Sequence, residues 1–275
     1  MRILAALLIV AIGLSFAQRP AVAGKYNDWE NWMSSGTAVL PNPSNASHSR
    51  FRTIIGGGAA IAPEYLGTDD LELKPLPLLD TTYAGKLFVS TQQGVGYNLW
   101  RTRTVRAGPR LTFDFGRDSG DHANLTGLPD VDFGTEIGLF VEAYNGPWRL
   151  RGDVRKEFFG GHDGLLGNVD VAWGSRWTDS VSLVLGGRAT VMGEKYAQAY
   201  FSVPAANAIS GRPAYEAGAS IRDFGGYVQV IYDINRSIFI SAEGRGNFLF
   251  GDAADSPLST ADTTFIGSVM AGVRF

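Results

Sequence analysis

From residue 103 to the end, the chain alternates apolar and polar positions with a period of two. Over 103–116, Val105, Ala107, Pro109, Leu111, Phe113 and Phe115 share one side, and Arg106, Gly108, Arg110, Thr112 and Asp114 the other. Over 133–144, Phe133, Ile137, Leu139, Val141 and Ala143 oppose Glu136, Phe140 and Glu142. Such alternation is that of β-strands whose two faces meet different surroundings. The next stretch sets Trp148, Leu150, Val154 and Phe158 against Arg149, Arg151, Asp153, Arg155 and Glu157. That charged face will not sit against a sandwich core. It is either the solvated side of a soluble sheet or the wall of a polar lumen. Val181, Leu183, Leu185, Ala189 and Val191 continue the pattern against Ser182, Arg188 and Thr190. Phe224, Val228, Val230, Tyr232 and Ile234 then oppose Asp223, Gln229 and Asp233. Ile238, Ile240, Ala242, Phe248 and Phe250 oppose Ser237, Ser241, Glu243, Arg245 and Asn247. The runs last about 10–13 residues, close to the ~9–11 of a tilted membrane strand and longer than the ~5–6 of soluble sheets.

The last twelve residues repeat the pattern, with Phe265, Val269, Ala271, Val273 and Phe275 on the apolar face. A terminal strand with a greasy face and an open edge invites aggregation, whereas in a barrel it closes against the first strand. Val269, Ala271, Val273 and Phe275 also resemble the strand that outer-membrane assembly machinery reads. Connections alternate too. Asn145-Gly146-Pro147, Thr178-Asp179 and Asn235-Arg236 are tight, while 118–132, 193–220 and 251–262 are long and polar. Short periplasmic turns and long outer loops are the habit of outer-membrane barrels. Pro109 lacks an N–H, which predicts a bulge or an irregular bond at that point.

Eight strands lie between 103 and the end, preceded by 52–63, 71–82 and 86–100. The last of these is one strand or a hairpin about Gln92-Gln93-Gly94. The single phase of Leu87, Val89, Val95, Tyr97 and Leu99 favours one strand; the even strand number of single-chain barrels favours the hairpin. The expected fold is an all-β, antiparallel transmembrane β-barrel of 12 strands, or of 10 with 52–63 outside the wall.

The beginning of the chain fits export. Arg2, the apolar run 3–14 and Ala21-Val22-Ala23 form a signal peptide over 1–23, with cleavage after Ala17 as the alternative. Residues 24–50 read as a polar leader carrying Trp29 and Trp32, ahead of a barrel over 51–275. No later run approaches the ~18 apolar residues of a spanning helix, so a membrane form must be β. The absence of cysteine rules out a disulfide framework and thiolate metal sites. The formal charge of −3 becomes −5 once Arg2 and Arg19 leave with the signal, which argues against a nucleic-acid partner.

Candidate chemistry is sparse. Of three histidines, His48 lies in the leader, His122 in a polar loop, and His162 beside Asp163 within Gly160–Gly164. A hydrolase would need His162, an acid and a serine such as Ser256 brought together, but glycines around His-Asp already read as a tight turn. Asp252, Asp255 and Ser256, with Asp69 and Asp70, could offer oxygens to calcium, yet they are ordinary turn formers without the EF-hand spacing. Gly56-Gly57-Gly58 lacks the lysine and helix of a phosphate loop. No catalytic, cofactor or metal site is expected. The inward set is Arg106, Arg110, Arg149, Arg151, Arg155, Arg188 and Arg245 with Asp114, Glu136, Glu142, Asp153, Glu157, Asp170 and Glu243. Its balanced signs suit a salt-bridged plug better than an ion-selective pore.

Seven strings in register then resemble one family. They are 62–70 (APEYLGTDD) with 74–78 (KPLPL), 107–110 with 114–117, 160–164 (GGHDG), 199–203 (AYFSV) and 251–258 (GDAADSPL). Together they resemble the MltA-interacting protein (MipA/OmpV) family of outer-membrane proteins over about 51–275. The resemblance implies an outer-membrane location, outer-membrane lipid around the barrel and the assembly machinery as a partner. From the family's namesake it further implies a scaffold joining a lytic transglycosylase to a peptidoglycan synthase, though no motif here encodes that role. A non-enzymatic scaffold is the leading expectation, a small-solute channel the second, and a surface-loop hydrolase the third.

Overall fold

The computed structural model describes residues 50–120 and 122–275; the expected signal peptide over 1–23 and the leader with Trp29, Trp32 and His48 lie outside the described residues. The strands are β1 Phe51–Pro63, β2 Leu71–Tyr83, β3 Leu87–Ser90, β4 in two pieces (Gly94–Tyr97 and Trp100–Arg101) and β5 Val105–Asp114. Then come β6 Gly134–Asn145, β7 Trp148–Phe159, β8 Leu165–Arg176, β9 Val181–Met192, β10 Ser220–Asp233, β11 Ile238–Leu249 and β12 Thr263–Arg274. Each pairs antiparallel with its chain neighbours, and both pieces of β4 pair with β5. β12 returns to β1, from Ile54 opposite Arg274 to Ile61 opposite Gly267. The result is a closed, twelve-stranded barrel, with 86–100 folded as the hairpin. At the seam, a Cβ on Gly56 or Gly58 would fall 2.1 or 2.0 Å from the carbonyl oxygen of Ala271 or Val269. Glycine lets the first and last strands approach there.

Pro109 makes no bulge. β5 keeps unbroken register with β6, Pro109 standing opposite Leu139. The irregularity falls on its other flank, where β4 breaks between Tyr97 and Trp100.

The outer face is apolar and exposed: Leu139, Val169, Phe265 and Val269 each show more than half of their surface. Tyr83, Tyr97, Trp100, Trp148, Trp177 and Tyr232 ring the end with short turns, and Phe113, Phe133, Phe158, Phe248 and Phe265 ring the end with long loops. An apolar band between aromatic girdles is the surface a barrel presents to lipid. Closure removes the sheet edges that hydrocarbon cannot satisfy. Among the described residues no helix is long and apolar enough to cross a membrane; the strands do so. The chain is an outer-membrane β-barrel.

Two features depart from the alternation. First, the inner face is not uniformly charged or small. Near the short turns Ile54, Leu78, Phe88, Phe140, Tyr144, Ala172, Val184, Tyr227, Ile231 and Phe239 point inward and pack together, fully buried. Second, the long connections are not merely polar. Helix α1 (Glu194–Phe201) carries Tyr196, Ala197, Tyr200 and Phe201 as one buried stripe. They pack with Leu166, Met192, Leu249 and Ala253 of helix α2 (Gly251–Asp255). Leu125, Leu128, Val203 and Leu258 form a further cluster. Isolated apolar residues in polar loops thus gather into a cap over the loop end.

Candidate functional site: the charged lumen

Register builds the centre of the site. Across five successive strands, Arg106 stands opposite Glu142, Glu142 opposite Arg151, Arg151 opposite Asp170, and Asp170 opposite Arg188. Alternating signs along this line of opposed residues form a belt that climbs the inside of the tilted wall, since directly opposed side chains share a face. Arg106 donates to Glu142 from Nε at 2.8 Å and Nη2 at 2.5 Å. The Tyr144 hydroxyl donates to the same carboxylate, and Arg149 pairs with Asp170. Arg151 reaches Glu142 at 3.7 Å and Asp153 at 3.5 Å. Nearer the loops, Asp153 takes Arg110 at 2.6 Å, Arg155 at 3.2 Å and the Asn168 amide at 3.0 Å. Arg155 also meets Glu136 at 2.6 Å, and Arg245 meets Glu243 at 3.0 Å.

Asp114, Glu136 and Glu157 converge on His162 rather than on arginines alone. Nε2 of His162 lies 3.5 Å from Asp114 and 3.6 Å from Glu136, and Nδ1 lies 3.5 Å from Glu157. A register shift at Thr135/Glu136 turns Phe159 outward beside Phe158 and leaves Glu157 facing in. Burial opposes a charge on His162. The Asp114, Glu136 and Glu157 carboxylates around it outweigh burial, raising the ring to about 9. The Gly164 amide donates to Nδ1 at 2.9 Å, so Nε2 carries a hydrogen toward the carboxylates. Among the described residues Asp114, Glu136 and His162 place ligand atoms within 4.8 Å of one another.

The hydrolase residues do not meet. The buried Ser256 hydroxyl donates to the Phe201 carbonyl at 2.6 Å and accepts from the Leu258 amide, which anchors the cap. The calcium candidates are dispersed: Asp252 accepts from the Gly218 amide, Asp69 from Thr260, and Asp70 meets His122 at 2.8 Å. Arg222, absent from the sequence reading, pairs with Asp223 at 2.5 Å and donates to the Tyr196 hydroxyl at 2.8 Å. It sits where the register skips between Thr190 and Val191, which takes it out of the alternating phase.

Between the belt and the cap lies a cavity of about 320 Å³. Its charged lining is Arg110, Arg151, Arg155, Arg188, Arg222 and Arg245 against Glu136, Asp153 and Asp223. Balance across the whole lumen therefore conceals a local cationic excess. Val269, Ala271, Val273 and Phe275 lie on the outward phase of β12, at the seam with β1, where the Phe275 amide donates to the Thr53 carbonyl at 2.8 Å.

The family model described as MltA-interacting protein MipA matches residues 55–275. No curated protein matches the chain. Similar solved structures include OmpT, an outer membrane protein of Vibrio cholerae, at 9% identity and TM-score 0.39, covering 82% of this chain and 96% of that one. The outer membrane channel DcaP of Acinetobacter baumannii aligns at 9% identity and TM-score 0.39, covering 86% and 100%. An outer membrane channel from Pseudomonas putida F1 aligns at 8% identity and TM-score 0.42, covering 85% and 99%.

Proposed function

Since the chain belongs to the MltA-interacting protein (MipA) family, we propose that it is a non-enzymatic outer-membrane scaffold whose turn end receives peptidoglycan-remodelling enzymes. The observation that carries this reading is the blocked lumen. Ten inward apolar and aromatic side chains pack inside the barrel toward the short turns, and the ion-pair belt runs between them: Arg149 stands opposite Tyr144 and Ala172, and Phe140 lies on the loop side of Glu142. A plugged barrel suits a rigid mount better than a solute pore. Nor does the cap assemble a nucleophile and base, which speaks against the hydrolase.

The family's name supplies the lytic transglycosylase MltA as a partner, and the resemblance adds a peptidoglycan synthase. Both belong at the short turns, which face the periplasm in such barrels. A polar recess of about 320 Å³ opens there, lined by Arg176, Asp179, Asp233, Asn235, Arg236 and Arg274. The outward row Val269, Ala271, Val273 and Phe275 is the surface offered to the assembly machinery. The test is in-cell photo-crosslinking from Asn235 or Arg236, compared with Gly211 on the loop side. Capture of murein enzymes from the turn positions alone supports the scaffold; capture from neither side rules it out.

A further inference from the structure

The wall of the barrel has an opening, and the cationic cavity lies behind it. β3 and β4 are only a hairpin's height, ending in the turn 91–93, whereas β2 continues up to Leu71 and β5 to Asp114. Thr91 makes the last contacts on that flank of β2, its amide donating to the Leu79 carbonyl and its hydroxyl to the Pro77 carbonyl, both at 2.9 Å. Above that level no strand among the described residues lies between β2 and β5. Two absent strands leave roughly 14 Å between the jambs, three spacings of ~4.8 Å. The loops close the top. His122 reaches Asp70 at 2.8 Å, and the Asn124 amide donates to the Tyr65 hydroxyl at 3.2 Å. The notch is therefore a framed window.

Its edges are chemically finished. Leu79 turns both its amide and its carbonyl toward Thr91, so strand alternation places positions 77 and 75 on the same flank. Both are proline, which leaves those two edge positions without an N–H to recruit another strand or to face lipid unpaired. The jambs are apolar on the lipid side: Leu73 and Phe115 are among the most exposed side chains of the molecule. One cavity is lined both by Phe113, on the outward phase of β5, and by Thr112 and Arg110, on its inward phase. The cavity thus reaches the upper flank of β5, where β4 no longer covers it.

We propose that this window admits an anionic amphiphile, its phosphate or carboxylate headgroup held among the cavity arginines and its acyl chain left in the lipid beside β2 and β5. Six arginines against three carboxylates line the cavity. Arg188 carries the argument furthest: it donates no hydrogen bond among the described residues, and its salt-bridge partner Asp170 is 3.7 Å away and already held by Arg149. A guanidinium so placed has donors to spare for an oxyanion. The packed layer below makes the cavity a blind pocket, so the ligand binds rather than passes. This inference is independent of the scaffold reading.

The test uses the mature barrel in dodecyl maltoside, titrated with n-dodecyl phosphate, with inorganic phosphate as the headgroup alone. Saturable binding of dodecyl phosphate, at least tenfold tighter than inorganic phosphate, is expected. Arg188→Gln should weaken it tenfold or more, and Arg188→Lys should restore part of the loss. Leu66 lines the cavity from the loop between β1 and β2; Leu66→Trp, which adds bulk there without removing an ion pair, should weaken dodecyl phosphate and leave inorganic phosphate unchanged. A photoreactive alkyl phosphate should label Leu66, Leu73 and Phe113 above the rest of the outer face. Equal affinity for inorganic phosphate, indifference to both exchanges in folded protein, or labelling spread evenly around the barrel would overturn the proposal.

Discussion

Glu142→Ala tests whether the belt braces the barrel. Glu142 is fully buried and accepts two hydrogen bonds from Arg106 and one from Tyr144, with Arg151 at 3.7 Å. Removing the carboxylate deprives two buried guanidinium groups of a shared counter-charge. Breaking a buried pair from one side costs about 3–5 kcal/mol, mostly the penalty of the charge left behind. At ~1.4 kcal/mol per factor of ten, the folding equilibrium should fall by roughly two to three and a half powers of ten. Exchanging the group together, Arg106→Met with Glu142→Leu and Tyr144→Phe, removes the closer pair as a unit and leaves Arg151 with Asp153 as its counter-charge. It should stay within about 1–2 kcal/mol of the parent. The assay is urea titration in phospholipid vesicles, run in both directions and followed by tryptophan fluorescence and by the gel mobility of the folded form. A Glu142→Ala variant within ~1 kcal/mol of the parent, the range of exposed pairs, would refute the reasoning.

The seam is equally specific: Gly56→Val places side-chain atoms where the Ala271 carbonyl stands, so the barrel should fail to close and should lose its heat-modifiable mobility. His162 provides a pH dependence. With its folded value raised from 6.5 to about 9, its contribution to the cap is fully present below about 6.5 and is lost as pH rises through about 9. Protease cleavage within 193–219 should therefore accelerate from about pH 7 to about pH 10 in the parent and stay level in His162→Gln, after correction for the protease's own profile. Ser256→Ala leaves the buried Phe201 carbonyl and Leu258 amide without a partner, at about 1–3 kcal/mol, and should loosen the cap in hydrogen exchange while the strands keep their protection.

The wall was legible because lipid on one side and charge on the other impose the same period on every strand, so even the arginines and acids of the belt could be assigned an inward direction. Strand number rested on parity rather than pattern. A hairpin with four-residue arms keeps one phase through Leu87, Val89, Val95 and Tyr97, as a straight strand would. The inner apolar layer was hidden because Ile231 or Phe239 looks outward-facing in composition, and only register turns it inward. Arg222 and Phe159 were hidden by register shifts that reverse the phase midway. The His162 cluster joins a loop to three strands, and its one hint was a histidine in a glycine-rich loop following an acid-bearing strand. Pro75 and Pro77 were visible as a string, but their place on an open edge depends on how short the next hairpin is.

The most direct measurement of the central claim, a membrane-spanning barrel blocked by its own side chains, is single-channel recording from the purified protein in planar bilayers. Insertion should give no stable conductance steps, while Phe88→Ala combined with Phe140→Ala and Phe239→Ala, which empties part of the inner layer, should give resolvable ones. Steady open steps from the unaltered protein would contradict the account.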